Sequence, residues 1–164
     1  MASGDTLITF TPHSNEPPAT NYATLDTRNG HMVLDFDDTT AESAIFSGVL
    51  PRNYSGGGIT ATVIWLATTA VAGNVKWTAQ FDRHQSGVDD VDSDSFATAG
   101  MAAGTAPATS GASQYTAIAF TDGAAIDSVA IGESFRVKVS RNAADVEDDM
   151  VGDAEILAVE LRET

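Results

Sequence analysis

The sequence predicts an all-β fold: an antiparallel β-sandwich, best drawn as a jelly roll of about eight strands. Three observations predict it. Short segments alternate apolar and polar residues, most clearly at 59–67, 74–83, 135–141 and 154–162. Such alternation turns one face to a core and the other to water. Turn-forming residues separate these segments at intervals near the roughly 8–12 residues of sandwich sequences. No long segment carries the helical period of about 3.6 residues, which disfavours a parallel α/β arrangement.

The elements follow in order. Leu7-Ile8-Thr9-Phe10 forms a short apolar strand. The stretch from Pro12 to Pro18 cannot extend a ladder, because proline lacks the N–H. Residues 1–22 are therefore set apart as an N-terminal strand or arm, paired with the body or with a neighbour, and 23–164 as one β-sandwich domain. Strands at 22–27 and 31–36 flank Arg28-Asn29-Gly30; Asn-Gly takes the positive φ angles of a tight hairpin. Met32, Leu34 and Phe36 share one face of the second strand, and Val33, Asp35 and Asp37 the other.

A strand at 44–50 precedes a loop ending in Gly56-Gly57-Gly58. In the next strand Ile59, Ala61, Val63, Trp65 and Ala67 face one side. Ile64 and Leu66 are also apolar on the opposite face, so this strand is expected at the centre of a sheet. Its partner at 74–83 alternates Val75, Trp77, Ala79 and Phe81 with polar residues, and Ala72-Gly73-Asn74 supplies the turn between them. Trp65 and Trp77 are the expected core anchors. An acidic loop follows at 88–94, then an ambiguous segment at 96–101 that reads as helical turn or strand, and a small-residue stretch at 104–113. Strands at 114–121, 133–140 and 154–162 complete the sandwich, with a second acidic loop at 142–153.

A chain of 164 residues is the size of one domain and large enough for a core without staples. The net charge of −15, from 23 acidic and 8 basic residues, repels phosphate backbones and anionic bilayers. Neither nucleic acid nor membrane is an expected partner. With no cysteine, disulfides, thiolate catalysis and cysteine-based zinc sites are excluded. Met1-Ala2-Ser3-Gly4-Asp5 carries neither the basic nor the apolar region of a secretory leader, so a cytosolic product is expected.

Asp90-Val91-Asp92-Ser93-Asp94 begins like an EF-hand loop, but Ser95 stands where glycine is needed and Met101 where the bidentate glutamate belongs. A calcium loop of another geometry at Asp90, Asp92 and Asp94 stays open beside a plain solvated loop. Asp145, Glu147, Asp148, Asp149 and Asp153 could add ligands if they fold nearby; no other cofactor is expected. Carboxylates are so numerous that the paired-acid spacing of glycosidases carries no signal, although Asp35 and Asp37 share a strand face. His13, His31 and His84 lack both a nucleophile elbow and the spacing of a zinc site, and read as surface residues. The three glycines are not followed by the Lys-Ser or Lys-Thr of a phosphate loop. Tyr22, Tyr54 and Tyr115 are the candidate sugar-stacking aromatics. No catalytic residues are assigned, and an enzyme is not expected.

The run from Phe46 through Leu50-Pro51, Tyr54 and Gly56-Gly57-Gly58, then Trp65, Gly73-Asn74-Val75 and Trp77, resembles a group of phage-encoded proteins. Phe120-Thr121-Asp122-Gly123, Gly132-Glu133-Ser134-Phe135 and Gly152-Asp153-Ala154-Glu155 extend the resemblance over most of the chain. These motifs are turns and core positions. The resemblance implies a jelly-roll virion protein: a capsid decoration (cement) protein on the head surface, trimeric, bound to the major capsid protein and made in the host cytoplasm. Leu7, Ile8 and Phe10 would then form the interface, because an arm can add a strand to a partner sheet. A tail- or fibre-associated carbohydrate-binding module is the alternative.

Overall fold

The computed structural model describes residues 3–164. Met1 and Ala2, the start of the terminus read above, lie outside the described residues. Among the described residues, ten strands and two short 3-10 helices, Pro12–Ser14 and Ala124–Ile126, follow one another. The strands are β1 (Thr6–Phe10), β2 (Thr24–Arg28), β3 (His31–Phe36), β4 (Glu42–Val49), β5 (Ile59–Ala67), β6 (Asn74–His84), β7 (Gly100–Thr105), β8 (Gln114–Phe120), β9 (Ser134–Arg141) and β10 (Ala154–Glu163).

They form two antiparallel sheets, one ordered β2-β3-β10-β5-β8 with β1 also on β10, the other β4-β9-β6-β7. From β3 to β10 every connection crosses between the sheets except the β6–β7 hairpin. That is the strand order of a jelly roll. The strand β5 is central, between β10 and β8, which is why apolar residues serve both of its faces. Asn29 and Gly30 take φ of 49° and 79° in the β2–β3 turn, as the Asn-Gly pair requires.

Between the sheets lies one core. Trp65 and Trp77 are both fully buried, with ring centroids 5.9 Å apart. Phe36 meets Trp77 edge-on at 5.2 Å, and Phe81 packs between Phe120 and Phe135. Trp65 Nε1 donates to Thr116 Oγ1 at 2.9 Å, so the indole keeps its polar end satisfied inside the core.

The segment set apart as a strand or arm pairs with the body, the first of the two partners left open for it. Thr6–Phe10 pairs with the chain's own β10, from Thr6 opposite Arg162 to Phe10 opposite Val159, with a bulge between Thr6 and Ile8. Phe10 is buried and stacks on Phe46 at 5.3 Å, while Leu7 and Ile8 pack against the core at its margin. Residues 1–22 thus include a strand of the larger sheet, not a separate unit. The prolines after it do end the ladder, as expected. The ambiguous 96–101 segment contributes only its end to a strand, since β7 begins at Gly100.

The glycine run before β5 acts by close approach. Gly58 has φ of 98°, and a Cβ there would stand 2.5 Å from the Phe120 carbonyl oxygen. A carboxylate takes up the amides beside it: Glu163 Oε1 accepts the N–H of Ser55 at 3.0 Å and of Gly57 at 3.3 Å. The terminal strand therefore fills the cradle that the sequence could suggest for a phosphate.

Candidate functional site

The outer face of the larger sheet carries the residues that alternate out of the core. From β3 these are His31, Val33 and Asp35; from β5, Thr60, Thr62, Ile64 and Leu66; from β8, Tyr115, Ala117 and Ala119. Strand β10 adds Glu155, opposite Leu66 on one side and Asp35 on the other.

A cleft of about 340 Å³ opens on this face, within the size range of small-ligand sites. Its floor is apolar: Val33 and Leu66 are buried, and Leu157 is half-buried. Exposed Asn29 and His31 from the β2–β3 turn form one wall, and Gly111 and Ser113 from the loop before β8 form the other. Arg28 ties the walls together. Its guanidinium donates to the Ala67 carbonyl at 2.8 Å, the Thr68 carbonyl at 3.1 Å and Glu155 Oε2 at 2.5 Å. Gly111 donates to the same Ala67 carbonyl, and a Cβ on it would press on the Arg28 guanidinium at 3.0 Å. Side chains already ordered in this way lower the entropic cost of binding.

Tyr115 lies on the same outer face just outside the cleft lining, two residues along β8 from Ser113 and directly across from Ile64. The residue is 62% exposed. Tyr22 is 50% exposed and lines a separate shallow groove with Pro12, His13 and Leu25. Tyr54 corrects an expectation, because it is buried. Its hydroxyl donates to Asp122 Oδ1 at 2.8 Å and accepts the Gly58 N–H at 2.9 Å, and burial followed by the bond to Asp122 pushes its pKa up to about 12. A second cavity of about 390 Å³ at this end of the sandwich is lined by loop residues around Tyr54 and Asp122.

Next to the cleft the same face turns acidic. Asp35 has a carboxyl pKa raised to about 6, by burial first and then by repulsion from Asp153, Glu155, Asp26 and Glu42. Its Oδ1 is buried without a hydrogen-bond partner. Burial also raises Glu42 and Asp153, while Asp37 is held low by Thr39 and Thr40, whose hydroxyl and amides donate to Oδ1. Asp37, Asp38 and Asp153 bring carboxylate oxygens within 4.8 Å of one another.

Of the two readings left open for the acidic-loop triplet, the structure does not bring Asp90, Asp92 and Asp94 together as one carboxylate group. Asp90 and Asp92 are exposed, and Asp90 spends its Oδ1 on the Asp92 N–H at 3.1 Å within a turn. Asp94 instead joins Asp82 of β6 and Asp127. The second acidic run is mostly occupied in holding its own loop: Asp148 pairs with Arg141, Glu147 with Lys76, and Asp149 accepts the Asn74 N–H at 2.6 Å. The two runs share no carboxylate group among the described residues. His13 and His31 are exposed as expected, whereas His84 is half-buried, with Nε2 3.5 Å from Asp82 Oδ2.

The sequence reading named Tyr115 but missed the cleft beside it. Its walls come from a hairpin turn and a small-residue loop that lie more than seventy residues apart, and only the strand order makes them neighbours.

No family model matches the chain, and no curated protein matches it. Solved structures similar to it include two carbohydrate-binding modules. The carbohydrate-binding module TmCBM27, described for specific mannan recognition, has a TM-score of 0.39 at 12% identity, covering 99% of this chain and 88% of that one. CBM28, a carbohydrate-binding module described as specific for non-crystalline cellulose, has a TM-score of 0.36 at 10% identity, covering 86% of this chain and 77% of that one.

Proposed function

We propose that this chain is a glycan-binding β-sandwich module, with its ligand seated on the outer face of the larger sheet. The cleft beside Tyr115 is the observation that carries this reading. A sugar ring offers an apolar C–H face and a hydroxyl edge. The exposed Tyr115 ring suits the first, with half-buried Leu157 as an apolar residue of the cleft. Asn29, His31 and Ser113 offer short polar groups to the second. The net charge of −15 favours a neutral glycan over a uronic or sulfated one.

This is the alternative set beside the head-decoration role that the resemblance implies: a tail- or fibre-associated module, which would meet a host surface. A head-decoration role, with a homotrimer on a major capsid protein, rests on that resemblance alone. The strand it would use as an arm, with Leu7, Ile8 and Phe10, is engaged in this chain's own sheet.

The test is calorimetric titration of the full chain with a panel of neutral oligosaccharides, repeated with Tyr115→Ala and His31→Ala. Binding weakened by roughly tenfold or more in Tyr115→Ala, equivalent to about 1.4 kcal/mol, is the expected result. A panel without any binder, or a binder indifferent to both substitutions, overturns the reading.

A further inference from the structure

We infer that Asp82, Asp94 and Asp127 form a site for a divalent cation of the calcium class, which fastens the loop between β6 and β7 to the outer face of the smaller sheet. This inference is independent of the glycan reading.

The three carboxylates come from separate places: Asp82 from β6, Asp94 from the acidic loop, and Asp127 from the left-handed residue after the 124–126 helical turn, with φ of 55°. They bring carboxylate oxygens within 4.8 Å of one another. Proximity of acidic groups is ordinary on so acidic a surface; the state of Asp82 is not. Asp82 is wholly buried, and its Oδ1 has no hydrogen-bond partner. Its Oδ2 accepts from Arg136 Nε at 3.0 Å. A buried carboxylate oxygen with no donor is costly unless something else satisfies it, and a metal ion is one such partner.

The other two carboxylates show the same division. Asp127 Oδ2 accepts the Arg83 N–H at 2.7 Å, and Asp94 Oδ1 accepts the Ser95 N–H at 2.9 Å. Each acid thus has one oxygen fixed by the protein and a second to offer. An all-oxygen donor set selects a hard cation. Ligands drawn from an exposed loop residue and a turn suit the flexible coordination of calcium better than the strict octahedron of magnesium.

The loop is already laid over this face. Ala97 donates its N–H to the Phe81 carbonyl at 2.8 Å, Gln80 Nε2 donates to the Ala97 carbonyl at 2.9 Å, and the Phe96 ring lies beneath Arg136 and Lys138 at 5.1 and 4.7 Å. A cation at Asp94 would close the remaining side.

The full chain, stripped with chelator and desalted, is titrated with calcium chloride by calorimetry, and its thermal midpoint is followed in parallel. Asp94→Asn is the informative variant, because Asp94 is exposed and its loss leaves the Asp82–Arg136 pair intact. Asp153→Asn controls for the separate group of Asp37, Asp38 and Asp153. The expected pattern is single-site binding that raises the midpoint, is lost in Asp94→Asn and is kept in Asp153→Asn. Any other pattern, including no binding by the unaltered chain, overturns the assignment.

Discussion

Arg141 is completely buried, and Asp148, seven residues on, meets it with both carboxylate oxygens, the shortest contact being 2.8 Å. The guanidinium also donates to the carbonyls of Met150 and Gly152 at 2.9 Å. One side chain at the end of β9 therefore fixes most of the loop that leads to β10. Removing one partner of such a pair leaves a buried charge uncompensated, at about 3–5 kcal/mol. Asp148→Ala should lower the urea midpoint accordingly. An unchanged midpoint would mean that the loop holds its shape without the pair.

Trp65 separates area from hydrogen bonding. Trp65→Ala should cost about 3–5 kcal/mol, as expected for a large ring lost from a packed core. Trp65→Phe keeps most of the apolar contact but strips Thr116 of its donor, and should itself cost at least about 1 kcal/mol. Denaturant unfolding of both variants, with Thr116→Val on each background, measures the coupling. Zero coupling would show that the 2.9 Å contact contributes nothing.

Deleting residues 1–10 should damage the monomer itself. It removes β1, uncovers Phe46 and exposes the C-terminal half of β10 as an open edge. The expected outcome is a lower melting midpoint together with concentration-dependent association on size exclusion. A truncated chain that melts like the parent would restore the reading of this segment as a detachable arm.

Stability should rise as the solution is made mildly acidic. Asp35 titrates near 6 in the folded chain and near 3.8 when unfolded, so between these values the folded state binds the extra proton. Stability therefore increases as pH falls through about 6 towards 4, and the penalty is full above pH 6. Glu42 and Asp153, both raised, act in the same direction; Asp37, held low, acts in the opposite direction only once the pH falls through its unfolded value. Thermal melts of the parent and Asp35→Asn across this window test it. The variant should show a flatter profile and a higher midpoint at neutral pH; parallel profiles would contradict the assignment to Asp35.

The core and the hairpins were legible because they obey local rules. Strict alternation placed Trp65 and Trp77 inward, and Asn29-Gly30 specified its turn through two positive φ angles. Tyr54 was illegible because a loop has no period, and its burial depends on Asp122 and Gly58, brought together only by the closed sandwich. Asp82 misled in a different way. It alternates with Lys76, Thr78 and Gln80 on a face that ought to be wet, yet the following loop folds back across that face and buries it. The cleft follows the same logic: each wall is an ordinary turn or loop, and only the order of strands makes them face each other.

The hydrogen bond from Gly4 N to the Glu163 carbonyl, 2.7 Å, sets the two ends of the described chain side by side. Along β10, Glu155 beside the cleft and Glu163 are separated by the length of the strand, roughly 25 Å at about 3.3 Å per residue. Gly4 and Glu163 therefore lie at the pole of the sandwich remote from the cleft. A body attached at that pole would leave the cleft, on the outer face of the larger sheet, uncovered.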